Sequence, residues 1–502
     1  MNASLLIHEF LVLGLAFLIL LADLWLSPTA KRKLGYTAAA GVFVILVYSI
    51  LCVKTPAGKA LYAFGTDPNH GMYVFDDLAL FFKRFFLLAA LIVLVMSVEF
   101  SDRIEAGVSE FYSLVLFALS GMLFASSANN FALLFVSLEL ITITFYVLTS
   151  FQRSRLVTLE AGVKYLIIGA LSTSFTVFGI ALVYGISGKL DFNDLSAVVP
   201  KLAGNRLFLF GLLLVLVGIG FKIAAFPVQI WAPDVYQGSP SPTAAFLATG
   251  SKAAGFVLLI RVLFTAVPEV AREWSKLLVI ISAVTILYGN LCALPQRNLK
   301  RLLGYSSIAH AGYLLLGIAA LNDMGISALL YYLSGYLFTV LAAFIVICLV
   351  MRQADVEWIS SLAGLNERSP LLAATMSFAM VSLAGIPPLA GFFGKFMLLS
   401  AIIEKGRTHP AYYCLAFIAL AGVVISIYYY FGVIRAIYWS DEAADRSPIQ
   451  ASKPTLITIY ACIAGMFYLG IFPAPLVKWT AAIAKNVQPR PDLPALSRRE
   501  TP

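Results

Sequence analysis

The sequence predicts an all-α integral membrane protein, a polytopic bundle of about fourteen transmembrane helices. Of its 502 residues, 61% are hydrophobic and only 12% are charged, whereas a soluble domain is closer to half apolar and a quarter charged. The apolar runs are about twenty residues long, which is the length that crosses a bilayer as a helix. They do not alternate with a period of two, so helices and not a closed barrel satisfy the backbone in lipid.

The predicted spans follow one another along the chain. Lys31-Arg32-Lys33 follows the first apolar run and no basic residue precedes it, which is the reverse of a signal peptide, so we expect a retained span with its N-terminus outside. An even number of spans then places the C-terminal tail outside as well. The predicted spans are 8–26, 34–53, 78–98, 109–127, 131–150, 162–185, 207–231, 242–266, 275–294, 300–319, 326–350, 370–402, 411–438 and 454–473.

Charge and cysteine usage exclude several kinds of protein. The net charge is +9, but the basic residues lie between apolar runs and in the tail, which is typical of membrane anchoring and not of nucleic-acid binding. The five cysteines are far apart and form no CxxC pair, so we expect no iron–sulfur cluster or zinc site. Only His310 lies well inside an apolar run, which excludes a bis-histidine haem. We therefore expect no metal and no cofactor in this chain.

Two predicted spans carry helix breakers in their interiors. The seventh contains Pro227 soon after Lys222, and the twelfth contains Pro387-Pro388 shortly before Lys395. Proline removes a helix hydrogen bond and clashes with the preceding turn, so both helices should break there. Broken helices at matching places in two halves of a chain are typical of transport sites.

The spacing of these residues predicts an internal repeat. Lys395 follows Lys222 by 173 positions and His310 follows Glu139 by 171. The shift is five spans, an odd number, so the two units should be inverted in the membrane. The predicted organisation is three helices in 1–108, a first five-helix repeat in 109–266, a second, inverted repeat in 275–438, and a last helix with an external tail in 439–502.

Five ionisable residues are predicted near the middle of their spans. A charge at the bilayer centre costs about 2.5–3.5 kcal/mol on insertion scales, so such residues are usually paired, hydrated or functional. Glu139 is about eight residues, or roughly 12 Å, into its span, and the hydroxyls of Thr142 and Tyr146 share its helix face. We predict that the set forms a proton path: Glu139, Lys222, Lys252, His310 and Lys395.

Other polar residues are expected to have structural roles. Glu110 and Lys164 begin their spans and are predicted to be interfacial, while Asp234 is expected to cap a helix or hold the break. Residues near span ends should act as anchors, Lys300-Arg301 should be a cytoplasmic positive-inside pair, and the tyrosine run 428–430 should serve helix packing. The expected anchors are Asp23, Lys83, Arg84 and Arg261.

Three segments resemble the antiporter-like membrane subunits of bacterial proton-pumping NADH–quinone oxidoreductase, complex I. They are 221–243, which begins Phe-Lys-Ile-Ala-Ala-Phe-Pro, 299–313, which contains Leu-Gly-Tyr-Ser-Ser-Ile-Ala-His, and 385–396, Gly-Ile-Pro-Pro-Leu-Ala-Gly-Phe-Phe-Gly-Lys-Phe. The resemblance covers essentially the whole chain. Sister subunits typically carry a histidine-containing sequence at 234–236, and one has glutamate where this chain has Lys395, so the resemblance favours the subunit N family.

The resemblance implies a non-redox subunit that moves protons in the bacterial inner membrane. It implies that Glu139 and Lys222 lie in the first repeat, that Lys252 links the repeats, and that His310 and Lys395 lie in the second. Flavin, iron–sulfur clusters and the reaction with quinone are expected in partner subunits of the membrane and redox arms, so the expected partners are membrane-arm subunits, lipid and protons.

Other functions remain open at this level. A subunit of a multi-subunit sodium/proton antiporter would share the fold and the lysines. A standalone solute carrier would need a substrate pocket that the sequence does not reveal, and five costly intramembrane residues argue against a purely structural scaffold.

Overall fold

The computed structural model describes residues 3–55, 59–65, 70–105, 107–351, 357–440 and 447–487. In these residues, thirteen helices are long and apolar enough to cross a membrane. The predicted twelfth span is built from two shorter helices, Pro370–Ala384 and Ala390–Gly406. Counting that pair as one crossing gives the predicted fourteen spans, and we number them 1 to 14 along the chain. The all-α membrane fold is therefore confirmed.

Most span boundaries fall within a few residues of their predicted positions, and the sixth span begins earlier than predicted. The spans are Ile7–Asp23, Leu34–Leu51, Asp77–Phe100, Val108–Ser126, Phe131–Thr149, Leu156–Ser187, Arg206–Ile223, Ser241–Ala266, Ser275–Ala293, Leu299–Ala319, Asp323–Val350, the pair Pro370–Ala384 and Ala390–Gly406, Ala411–Trp439 and Lys453–Ile471. The other helices are Ala3–Leu6, Pro28–Lys31, Ser101–Arg103, Phe192–Leu202, Trp231–Gly238, Pro268–Glu273, Ile359–Leu362, Leu365–Arg368 and Ala474–Val487.

Spans 8, 10 and 11 form the inside of the bundle. Their apolar windows are almost entirely buried by protein, whereas spans 1, 6, 13 and 14 expose most of theirs. A charged side chain in a transmembrane helix costs less free energy when it faces the interior of the bundle than when it faces lipid. The interior position of spans 8 and 10 therefore explains how the chain tolerates Lys252 and His310.

Both predicted helix breaks are present, and they share a local design. Span 7 ends at Ile223, and Ala224 follows with a φ of 57°. The first helix of span 12 ends at Ala384, and Gly385 follows with a φ of 85°. Each left-handed residue turns the chain out of the helix, and a cis proline bond follows it at Phe226-Pro227 or Pro387-Pro388.

A second pair of matching features lies at the starts of spans 5 and 10. Asn130 and Asn298 each accept a backbone N–H of the first turn through their side-chain oxygen, which is a standard helix cap. Each also forms an isolated antiparallel bridge with a later loop residue, Asp191 for Asn130 and Trp358 for Asn298. These pairs match in sequence order, as an internal repeat would require, and the domain boundaries themselves stay a prediction.

Several shorter elements were not predicted, among them a hairpin and two amphipathic helices. A two-stranded antiparallel hairpin pairs Leu61–Ala63 with Tyr73–Phe75, and amphipathic helices form at Phe192–Leu202 and Ala474–Val487. Short strands and surface helices carry little of the long apolar signal that identifies spans, so hydrophobicity alone does not reveal them. The second helix occupies part of the predicted C-terminal tail.

The expected roles of Lys83 and Arg261 as anchors near span ends are wrong. Lys83 is fully buried and binds Glu9 and the hydroxyl of Tyr73, the latter at 2.7 Å. Arg261 is buried and holds both carboxylate oxygens of Asp76, at 2.6 and 2.7 Å. A bundle of many spans buries residues that a single helix would leave at the interface. The position of a residue along its span was therefore not enough to predict its surroundings.

Lys300 also departs from its expected role as a cytoplasmic surface charge. It is buried, with its ammonium 2.9 Å from a carboxylate oxygen of Glu357 and 2.6 Å from the carbonyl of Ser239. Arg84 is half-buried and donates to the carbonyls of Ser49 and Val53 at 2.7 and 2.9 Å. Lys300 thus joins span 10 to two connecting segments, and Arg84 joins span 3 to the end of span 2.

Replacing Lys83 with methionine is expected to lower the stability of the folded chain by about 3–5 kcal/mol, because the carboxylate of Glu9 would stay buried without its cation. The double variant Glu9→Leu with Lys83→Met should recover most of the loss, since it removes both charges. The measurement is thermal unfolding in detergent. Lys189→Met, which removes an exposed pair with Asp194, is the control, and equal melting of Lys83→Met and wild type would contradict the prediction.

Candidate functional site

Glu139 and Lys222 line the same small cavity between spans 5, 6 and 7. Its volume is about 10 Å³, close to the minimum that holds one water molecule. Thr173 donates a hydrogen bond of 2.7 Å to Oε1 of Glu139. Among the described residues, no ion pair joins Glu139 to Lys222. The structure thus brings the predicted pair together across a cavity and leaves its two charges out of direct contact.

Lys222 lies in an aromatic enclosure at the end of span 7. Its Nζ donates to the hydroxyl of Tyr165 at 3.3 Å and lies 5.7 Å from the centre of that ring and 5.6 Å from the ring of Phe221. The indole N–H of Trp231 donates to the carbonyl of Phe221 at 3.0 Å. This bond fastens the helix after the break to the end of span 7 and closes the enclosure.

Lys252 binds Ser307 of span 10 through both the hydroxyl and the carbonyl oxygen. It follows directly on a π-helical turn, Leu247–Ser251, inside span 8. Such turns displace the helix register and are frequent at functional sites. The Ser307 hydroxyl also lies 2.9 Å from the hydroxyl of Tyr236 and 3.2 Å from that of Tyr336, so three polar side chains meet at one serine.

His310 is buried and contacts a phenol on each ring nitrogen. Nδ1 lies 2.5 Å from the hydroxyl of Tyr332, and Nε2 lies 3.0 Å from the hydroxyl of Tyr430. The Tyr430 hydroxyl is in turn 2.5 Å from the hydroxyl of Ser306. Neutral imidazole donates from one nitrogen and accepts at the other, so this arrangement suits a group that receives a proton on one side and releases it on the other.

Lys395 is buried beside the break in span 12. Its Nζ donates to the carbonyls of Leu383 and Ala384 at 2.7 and 3.2 Å, which are the last carbonyls of the preceding helix. The negative end of that helix favours a cation there. The ammonium also lies 4.9 Å from the centre of the Tyr313 ring, and that ring is 6.0 Å from the ring of His310.

The predicted residues therefore fall into two groups. Lys252, His310 and Lys395 share one buried cluster, which is connected through tyrosines and Ser307. Glu139 and Lys222 form the second group, which reaches the first through ring contacts from Tyr165 to Trp231 at 4.9 Å and from Trp231 to Tyr236 at 6.4 Å.

Sequence reasoning missed most of the polar groups between the lysines. The tyrosine run at 428–430 does more than pack helices, because Tyr430 contacts His310 and Tyr429 donates to Asn290 at 2.9 Å. Helical spacing could have identified Ser306 and Ser307, because they precede His310 by one turn and therefore lie on the same face of the helix. The missed residues are Tyr165, Tyr236, Ser306, Ser307, Tyr313, Tyr332, Tyr336 and Tyr430.

Asp234 holds the segment after the first break in place. Its carboxylate binds Lys164 of span 6 at 2.7 Å and Arg301 of span 10, and Lys164 also binds Glu160 at 2.7 Å. The structural role expected for Asp234 therefore agrees with its contacts. Because Lys164 and Arg301 come from the two predicted repeats, this network also ties the repeats together.

Buried amines, an imidazole and hydroxyls in one enclosed network are able to transfer protons, since each hydroxyl both donates and accepts. Known proteins resemble this chain over most of its length. The family model "NADH:quinone oxidoreductase/Mrp antiporter, TM" matches residues 128–426. NADH-quinone oxidoreductase subunit N of Heliobacterium modesticaldum is 37% identical over 491 residues, which cover 97% of this chain and 100% of the relative.

The chain belongs to the subunit N family of NADH-quinone oxidoreductases. This confirms the family that the three sequence segments indicated. One chain of respiratory complex I from Thermus thermophilus, solved with bound aureothin, is 32% identical to this subunit N family member. The two structures superpose with a TM-score of 0.77, covering 95% of this chain and 99% of that chain. A chain of the Mrp complex from Dietzia sp. DQ12-45-1b gives a TM-score of 0.79 over 96% of this chain and 97% of that chain at 19% identity, which shows the shared fold alone.

Proposed function

We propose that this chain is a proton-translocating, non-redox membrane subunit of NADH–quinone oxidoreductase. The observation that carries the proposal is the buried cluster in which Ser307 and tyrosine side chains connect Lys252, His310 and Lys395. The names of the relatives support the same complex over an antiporter of the sodium/proton type. In this role the chain is a multi-pass protein of the bacterial inner membrane.

The Glu139–Lys222 pair would be the switch in this mechanism. Across the small cavity, the carboxylate favours the protonated lysine, and a change in their separation changes that preference. The Thr173 hydroxyl holds Glu139 on its own side of the cavity. A shift in the local field that draws Glu139 away would therefore release the proton of Lys222 toward the inner spans.

Lys252 and His310 would relay that proton, and Lys395 would exchange it with the outside. Hydroxyl groups contact the first two relay residues: Ser307 accepts from Lys252, and the phenols of Tyr332 and Tyr430 flank His310. The ring of Tyr313 lies between His310 and Lys395. Lys395 stands against an irregular backbone, which is tolerated at this depth only beside protein or water. For net transport, each of these groups must return to its starting protonation state after every turnover.

The remaining parts of the reaction belong to other chains in this proposal. NADH oxidation, flavin, iron–sulfur clusters and quinone reduction lie in partner subunits, and their energy reaches this chain through the membrane arm. The chain itself supplies amine, imidazole, carboxylate and hydroxyl groups and binds no cofactor.

The experiment is proton pumping by the whole complex in proteoliposomes with Glu139→Gln in this subunit. Glutamine keeps the hydrogen bond from Thr173 but removes the charge that acts on Lys222. We expect a loss on the order of tenfold in pumping rate, because a change of one pKa unit in a partner corresponds to a tenfold change in its proton equilibrium.

Glu110→Gln is the matched control, because Glu110 is exposed at the start of span 4. We expect the complex with this variant to pump at the wild-type rate. Assembly is checked from the subunit content of the purified complex. An assembled Glu139→Gln complex that pumps at the wild-type rate would refute the switch.

A further inference from the structure

A broad groove opens on the surface of the second half of the chain. Its volume is about 1200 Å³, above the usual range for small-molecule pockets. It lies between the end of span 9, the start of span 10, residues 358–360 and the second half of span 13. Aliphatic and aromatic side chains form most of its wall.

Two arginines stand at the rim of this groove. Arg297 precedes span 10 and Arg435 lies near the end of span 13, and both are exposed. Within the part of the chain that the structure describes, neither side chain has an ion pair or a hydrogen bond, and no acidic residue lines the groove. The described residues that line the groove therefore carry two positive charges and no negative charge above an apolar surface.

Large exposed aromatic side chains line the groove. Trp439 at the end of span 13 is 74% exposed, and Trp358, which bridges to the residue before span 10, is 45% exposed. Tyr428 is also 74% exposed and lies about 16 Å before Trp439 along span 13. Tryptophan and tyrosine concentrate at the boundary between headgroups and hydrocarbon. With the N-terminus outside, the ends of spans 9 and 13 and the start of span 10 face the cytoplasm. That leaflet carries anionic lipids, and basic pockets between spans on this side bind their headgroups.

We propose that this groove is a binding site for an anionic phospholipid of the cytoplasmic leaflet. Arg297 and Arg435 bind the phosphate oxygens, since the planar guanidinium matches phosphate in two parallel hydrogen bonds. The acyl chains lie along the apolar wall, which includes Ile427, Phe431 and Ile434.

The experiment uses the whole complex in vesicles of phosphatidylethanolamine and phosphatidylglycerol. A photo-crosslinking amino acid replaces Tyr428, and mass spectrometry identifies the adduct after illumination. Phosphatidylglycerol retained after detergent washing is counted per complex. We expect a phosphatidylglycerol adduct, and we expect retention in the groove to fall on the order of fivefold for each arginine changed to glutamine.

The control variant removes two exposed arginines elsewhere, Arg153→Gln with Arg407→Gln, and should keep the lipid. Three results would overturn the proposal. One is equal retention of phosphatidylglycerol by wild type and the Arg297→Gln, Arg435→Gln variant. Another is an adduct mainly with phosphatidylethanolamine. The third is an adduct with another polypeptide, which would make the groove a subunit interface.

Discussion

A complex with Lys395→Ala in this subunit is expected to assemble, to keep at least part of its NADH oxidation and to move fewer protons per NADH. Lys395 is the last predicted proton-carrying group of the network, and its ammonium is held by carbonyls at the break in span 12. Alanine removes the proton site but leaves the apolar contacts of the helix. The measurement is the ratio of protons to NADH in proteoliposomes that contain the whole complex.

Arginine at position 395 should not restore pumping, because its guanidinium keeps its proton under these conditions. Lys405→Ala provides the control, since Lys405 lies at the end of the same helix and away from the break. We expect a normal proton ratio from that variant. An assembled Lys395→Ala complex with normal oxidation and an unchanged ratio would remove Lys395 from the path.

The spans and breaks were predictable because each depends on local chemistry. A run of about twenty apolar residues must cross the membrane as a helix, and Pro227 and Pro388 cannot continue one. The ionisable residues stood out for the same reason, since a charge within such a run is costly. Lys222, Lys252 and Lys395 could therefore be selected from composition and position alone.

The connections between those residues were not predictable from the sequence. A serine or tyrosine in an apolar span costs little, so Ser307 and Tyr336 resemble many other hydroxyl residues until the spans are packed. Whether Lys83 reaches lipid headgroups or Glu9 depends on which helix lies beside it. Both questions concern contacts between distant segments, which periodicity within one segment does not contain.

Replacing Ser307 with alanine is expected to slow proton transfer through the subunit by about tenfold or more. The Ser307 hydroxyl touches Lys252, Tyr236 and Tyr336, so its loss disconnects the link between the two halves of the network. A hydrogen bond to a charged group contributes about 1.5–3 kcal/mol, which corresponds to that factor when the bond is needed for transfer. Lys252 keeps its contact with the Ser307 carbonyl, so the fold should survive.

Ser282→Ala separates this effect from the general cost of losing a buried hydroxyl. Ser282 is buried in span 9 and donates to the carbonyl of Gly312 at 2.8 Å, outside the network. If connection through Ser307 matters, only Ser307→Ala should reduce the pumping rate while both variants assemble. Ser307→Thr, which restores a hydroxyl at the same carbon, should recover part of the rate. Equal pumping by the two alanine variants would mean that protons pass from Lys252 to His310 without Ser307.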